Sequence, residues 1–120
     1  MGLTHVTVVL RRPDGNGEAF EHLFLVDTGA TDTMAPASEL EKIGVQRRGE
    51  RAYELADGTT TKYDFGLAEI SFMGEVTAGR VIFGPEKAEP ILGVTALESV
   101  GISVSPADQT LKRLPAIPLK

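Results

Sequence analysis

The first segment with a clear pattern is Thr4-His5-Val6-Thr7-Val8-Val9-Leu10, rich in β-branched residues and followed by the turn cluster Pro13-Asp14-Gly15-Asn16-Gly17. A strand leading into a hairpin is the local structure this composition favours. The returning segment, Ala19 to Val26, alternates at first and ends in a continuous apolar run, as a strand does when it leaves a solvated face and enters a core. It stops abruptly at Asp27. After a loop over Asp27 to Thr33, the segment Pro36 to Gly44 carries early acids, apolar residues three apart at Leu40 and Ile43, and a terminating glycine. That predicts a helix of about two turns.

Farther along, Arg51 to Ala56 and Thr59 to Tyr63 flank Asp57-Gly58, and Asp-Gly between strand-like runs is a strong hairpin signal. Leu67 to Phe72 and Glu75 to Phe83 read as two more strands meeting at Met73-Gly74. The apolar pair Ile91-Leu92 precedes Gly93, Val94 to Val100 predicts one or two helical turns ending at Gly101, and Ile102-Ser103-Val104 with Thr110-Leu111 predicts a last hairpin. The chain is therefore expected to be mostly β with one or two short helices. With 120 residues, no internal repeat and no Gly/Ser-rich linker, residues 1–120 are expected to form one domain, its core about 4–114 and its tail 115–120.

Composition mainly excludes. A net charge of −5 and a pI near 5.0 argue against nucleic acid as a partner, which needs clustered Lys and Arg; Arg11-Arg12 and Arg47-Arg48 are only pairs. The absence of cysteine rules out disulfides, thiolate metal sites and a Cys nucleophile. His5 and His22 fall in predicted strands with no acid at ligand spacing, so neither a metal site nor a cofactor is expected. The segment Met1 to Val6 lacks the charged and apolar regions of a signal peptide, and no run approaches ~18 apolar residues. No membrane partner and a cytoplasmic location are the expectations.

The candidate chemistry lies where the apolar strand runs into Asp27-Thr28-Gly29. A carboxylate at the tip of a rigid strand is fixed and aimed. Peptide hydrolysis without a metal or a protein nucleophile needs one group to deprotonate the attacking water and another to protonate the carbonyl oxygen or the leaving nitrogen. Two carboxylates a few ångströms apart supply both, because they cannot both ionise readily and so share a proton. The chain has one Asp-Thr-Gly; Asp57-Gly58-Thr59 has the wrong order and falls in a hairpin. If the chemistry is right, a homodimer must bring two copies of Asp27 together. The tripeptide is expected by chance about 0.06 times in this composition. Taken alone it reads equally well as an ordinary strand-to-loop turn, with Thr28 capping and Gly29 at positive φ.

Two motifs in order shift that balance. Phe24-Leu25-Val26-Asp27-Thr28-Gly29-Ala30-Thr31 resembles the active-site signature of retropepsin-like aspartic peptidases, and Ile91-Leu92-Gly93 before Val94 to Gly101 is similar to the apolar-apolar-Gly segment and helix that pass behind the active-site loop in that family. The resemblance implies a closed, barrel-like acid-protease domain whose homodimer holds a cleft for an extended peptide or protein substrate, with no cofactor. It implies that Asp27 is the catalytic aspartate and that the Thr28 hydroxyl ties the two active-site loops together. Gly29 and Ala30 would meet the substrate, and the hairpin Arg51 to Tyr63 would be the flap, with Asp57 and Gly58 at its tip.

The sequence departs from the family in two places. Retroviral flaps are usually richer in glycine and less polar than Ala56-Asp57-Gly58-Thr59-Thr60, and the tail holds Pro115 and Pro118, which cannot donate to a strand ladder. The expected function is an aspartic endopeptidase; the alternative is a dimeric peptide-binding or assembly module of the same fold whose dyad is catalytically silent. Asp32, in the loop after the signature, reads as an exposed acid capping Thr33 or Met34.

Overall fold

The computed structural model describes residues 4–119. Strand β1 (His5–Arg11) buries Val8 and Leu10 on one face while its alternate residues face outward, and it pairs antiparallel with β2 (Phe20–Asp27), Leu10 opposite Phe20 and His5 opposite Leu25. The turn cluster between them places Gly15 and Gly17 at positive φ, where glycine carries no Cβ penalty. Strand β2 then continues past the end of β1 and finds a second neighbour. Leu25, Val26 and Asp27 lie parallel to Ile91, Leu92 and Gly93 of strand β7 (Ile91–Gly93).

A four-residue strand missing from the sequence reading, β3 (Thr33–Pro36), occupies what looked like loop and helix start. It lies parallel to β6 (Glu75–Gly84), with Thr33 opposite Val81 and Pro36 opposite Gly84, and touches β7 at Met34 and Ile91. Four residues with one proline carry too little pattern to announce a strand; two flanking strands make it one. Helix α1 (Ala37–Lys42) follows with Pro36 at its N-cap, and Leu40 is its buried anchor.

The mid-chain hairpin consists of β4 (Gly49–Glu54) and the start of β5 (Thr60–Phe72). Thr59 to Tyr63 and Leu67 to Phe72, read from sequence as separate strands, fall from Thr60 onward in this one 13-residue strand. Gly66 makes the continuity possible: a Cβ there would sit 2.4 Å from the Gln46 carbonyl oxygen and 2.9 Å from Val45 Cγ1. Strand β5 turns into β6 through Met73 and Gly74, both at positive φ, as a two-residue hairpin turn requires.

Leu10 of β1 also pairs with Ile70 of β5. The hydrogen-bonded pairings therefore run β1-β2-β7-β3-β6-β5 and return to β1, closing a ring from which β4 projects as an arm attached to β5. The ring encloses Val8, Leu10, Phe24, Ile70, Val81 and Leu92, and helix α2 (Val94–Ser99) adds Ala96 and Leu97. Phe24 is fully buried. Phe24→Ala is expected to lower unfolding free energy by about 3–5 kcal/mol, the usual cost of deleting a core ring, as measured by urea titration.

Strands β8 (Ile102–Val104) and β9 (Leu111–Arg113) form a separate two-stranded sheet. The tail that follows folds back: the Leu114 amide donates to the Gly101 carbonyl at 2.8 Å, and a Cβ on Gly101 would meet Ile117 Cγ1 at 2.9 Å. Lys120 lies outside the described residues. Among the described residues no helix is long and apolar enough to cross a membrane.

Candidate active site

Asp27 is the last residue of β2, and its position is fixed from both sides. The β1 and β7 neighbours hold the strand, and the loop that follows is pinned by its own amides and by the start of α2. The Ala30 amide donates to the Asp27 carbonyl at 3.1 Å, the Val94 amide to the Ala30 carbonyl at 2.8 Å, and the Thr95 amide to the Thr31 carbonyl at 3.2 Å. Buried Thr33 accepts from the Gly93 amide through Oγ1 at 3.1 Å. The two motifs that the sequence placed some sixty residues apart are thus one hydrogen-bonded unit.

The Asp27 carboxylate itself is half-buried, and its Oδ1 accepts from the Gly29 amide at 2.9 Å. That contact corrects one expectation. Gly29 is not at positive φ; what favours a small residue there is proximity, because a Cβ would lie 3.3 Å from Asp27 Oδ1. Thr28 is exposed in the single chain.

A groove of about 890 Å³ opens over this loop. Asp27, Gly29, Ala30 and Asp32 line its floor, Arg51 to Ala56 of the arm line its roof, and Tyr63, Arg80, Ile82 and Ile91 close its side. Asp57 and Gly58 do not line it; they form the arm's turn beyond Ala56. There Gly58 is at positive φ, its amide donates to the Leu55 carbonyl at 2.9 Å, and the Leu55 amide donates to the Thr59 carbonyl at 2.7 Å. The Thr59 hydroxyl and amide, at 2.6 and 2.9 Å from Asp57 Oδ1, hold that carboxyl below the usual range. A depressed carboxyl contributes to the turn's stability above its unfolded pKa, and the contribution is lost as pH falls through the folded value.

Asp32 departs most from its sequence reading. It is 8% exposed, accepts a hydrogen bond from the Tyr53 hydroxyl at 2.8 Å, and sits 3.7 Å from Arg80 Nε. A buried carboxylate needs such partners, since removing an ion from water without them is prohibitive. Burial, and next the hydrogen bond to Asp32, push the Tyr53 phenol above its ordinary value. Tyr53 and Arg80 were missed in the sequence, although each left a trace: Tyr53 is one of two aromatics in the arm, with Tyr63, and Arg80 interrupts the strand Glu75–Gly84 just before Val81-Ile82-Phe83.

The two histidines take surface roles. His5 Nε2 is 2.8 Å from Glu89, and His22 stacks on Phe20. No cluster of His, Cys, Asp and Glu suited to a metal ion occurs among the described residues.

A closed ring of β-strands with a single Asp-Thr-Gly at the end of one strand, an apolar-apolar-Gly strand running parallel behind it and a hairpin arm over the resulting groove defines a retropepsin-like aspartic peptidase domain. The model of the family described as gag-polyprotein putative aspartyl protease matches residues 15–99, and the chain belongs to that family. The matched stretch contains the Asp27 loop, the arm and the segment behind the loop. No curated protein matches the chain.

Proposed function

We propose that the chain is an aspartic endopeptidase active as a homodimer, in which Asp27 and its mate share one catalytic water. The observation that carries this reading is the position of Asp27: a half-exposed carboxylate, oriented by the Gly29 amide at 2.9 Å, on the floor of a groove roofed by a hairpin, in a chain of the aspartyl protease family. One such chain holds only one of the two carboxylates that the chemistry needs.

In the reaction, the ionised carboxylate removes a proton from the water as its oxygen bonds to the scissile carbonyl carbon, while the protonated mate gives its proton to the carbonyl oxygen. In the collapse of the tetrahedral diol, the carboxyl that took the water's proton gives it to the amide nitrogen, the mate's carboxylate takes back a proton from a diol hydroxyl, the carbon–nitrogen bond breaks as the carbonyl re-forms, and a carboxylic acid and an amine leave. One member of the pair must be protonated and the other not. Activity should therefore fall both where the pair is fully protonated and where it is fully ionised, and the two apparent pKa values belong to the pair. An extended peptide fits the groove by hydrogen bonding between the arm and the loop after Asp27, with Gly29 and Ala30 presenting backbone on the floor. Asp57 and Gly58, at the arm's turn beyond Ala56 and outside the groove's lining, would meet only a substrate that extends past the groove.

Cleavage of a mixed peptide library across pH 3 to 7, with inhibition by pepstatin, tests the activity; absence of cleavage throughout would favour the silent binding module. The oligomeric state gives a second test. Thr28 is exposed in the single chain and adjoins Asp27, as a residue bridging two loops at a twofold axis must be. Thr28→Ala is expected to weaken the dimer by roughly tenfold to a hundredfold, because symmetry removes two hydrogen bonds at once, and to lower activity in parallel. Sedimentation velocity over a concentration series reads the first effect.

A further inference from the structure

The arm has very few ties to the rest of the molecule. Its residues 49–63 are joined to the body through the pairing of β4 with β5 and the continuation of β5 into the ring. Among the described residues, the side-chain polar contacts from this segment to the remainder of the chain meet at one point: Tyr53 OH donates to Asp32 Oδ2 at 2.8 Å, beside Arg80. The other polar contacts of its side chains, such as Thr59 to Asp57, stay inside the arm.

The acceptor is unusual for a loop acid. Asp32 is 8% exposed and five residues after Asp27, on the same pinned loop, with Arg80 Nε 3.7 Å from the very oxygen that Tyr53 contacts. Arg80 is in turn held over the Phe65 ring, 5.0 Å from its centroid. The carboxylate is therefore supported from the body side whether or not the arm is down. Tyr53 lies one residue before the end of β4, near the free end of the arm, where a single bond has the longest lever.

We propose that Tyr53 and Asp32 form a latch that fixes the arm in its closed position over the Asp27 loop, with Arg80 keeping the carboxylate in place when the latch opens. The proposal rests on the peptidase reading for its purpose, since a peptide can enter the groove only if the arm rises and can be cleaved in a dry site only if it returns. Tyr53 and Asp32 are positioning residues in this scheme; neither meets the reacting atoms. Opening exchanges one hydrogen bond to a buried carboxylate for solvation of both groups, a difference of a size that permits opening yet biases the arm closed.

The test needs no catalysis, so a silent dyad would not obscure it. The chain contains no cysteine, which lets a single Thr60→Cys on the arm carry a trifluoromethyl tag, with Ser103→Cys as a tag on the body. Fluorine NMR then reads the open-to-closed ratio of the arm. Tyr53→Phe, which keeps the ring against Tyr63 at 6.2 Å, is expected to raise that ratio about tenfold while the Ser103 tag stays unchanged. Asp32→Ala should raise it similarly, and adding Tyr53→Phe to Asp32→Ala should raise it no further. An unchanged arm ratio in Tyr53→Phe overturns the latch, as does an equal disturbance of both tags. If Asp32→Ala fails to fold, the Tyr53→Phe comparison decides alone. Where cleavage is measurable, Tyr53→Phe should act mainly on KM, whereas Asp27→Asn acts on kcat, so failure of the latch and failure of the peptidase reading give different results.

Discussion

Asp27→Asn is expected to leave a folded protein whose peptide hydrolysis has fallen by roughly 10³-fold or more, the scale on which removal of an essential acid–base group is felt. The substitution is nearly isosteric, and the asparagine carbonyl can still accept from the Gly29 amide, which stands 2.9 Å from Oδ1 in the native loop. Thermal unfolding should therefore shift little. What is lost is the ability to take and return a proton. A mixed dimer makes the claim sharper: one wild-type Asp27 beside one asparagine should be as inactive as the double variant, because acid and base are two roles of one pair. Full activity in the mixed dimer would mean that a single carboxylate suffices. Pepstatin-sensitive turnover, measured with co-expressed and separately tagged chains, distinguishes these outcomes.

Gly93→Ala should have the largest structural effect of any single methyl addition near the site. An ideal Cβ at Gly93 would stand 2.5 Å from the Asp32 carbonyl carbon, 2.7 Å from the Asp32 oxygen and 2.7 Å from the Thr31 oxygen. All three are backbone atoms, so no rotamer change relieves the clash. The loop and β7 must separate, and the bonds that tie them, Gly93 amide to Thr33 Oγ1 and Val94 amide to the Ala30 carbonyl, lengthen together. The expected loss is at least about 3 kcal/mol, the upper end for overpacking a rigid site, with cleavage abolished even where the fold survives. Denaturant midpoints against Gly79→Ala provide the control, because neither glycine is at positive φ and a Cβ at Gly79 meets only Ile70 Cδ1, at 3.9 Å. Equal losses at the two glycines would mean that the close approach at Gly93 is not the cause.

These expectations trace to features legible to different degrees in the chain. Strand β2 ran from alternation into a continuous apolar stretch because its first half is solvated and its second half enters the ring, so its end at Asp27 was readable within a residue. Helix α1 and the Asp57-Gly58 turn were legible for the same kind of reason, since their signals are local. Strand β3 was not. Its four residues are held by β6 and β7, which lie roughly fifty and sixty residues away in the chain, and no local pattern reports partners at that distance. The continuity of β5 was hidden by Gly66, a residue that marks a break in most strands and here permits the Gln46 carbonyl to come close.

The active-site region divides along the same line. The residues from Phe24 to Thr31 and from Ile91 to Gly93 pointed to the aspartyl protease family from the sequence alone, because an aspartate at the end of a stiff apolar strand with a small residue behind it leaves marks on adjacent positions. That Asp32 is buried, that Tyr53 reaches it from the arm and that Arg80 supports it could be decided only by tertiary structure. A carboxylate's fate depends on which groups the fold brings to within a few ångströms, and those groups come from three separate strands and loops whose meeting is fixed by the ring's closure, not by any neighbour in the sequence.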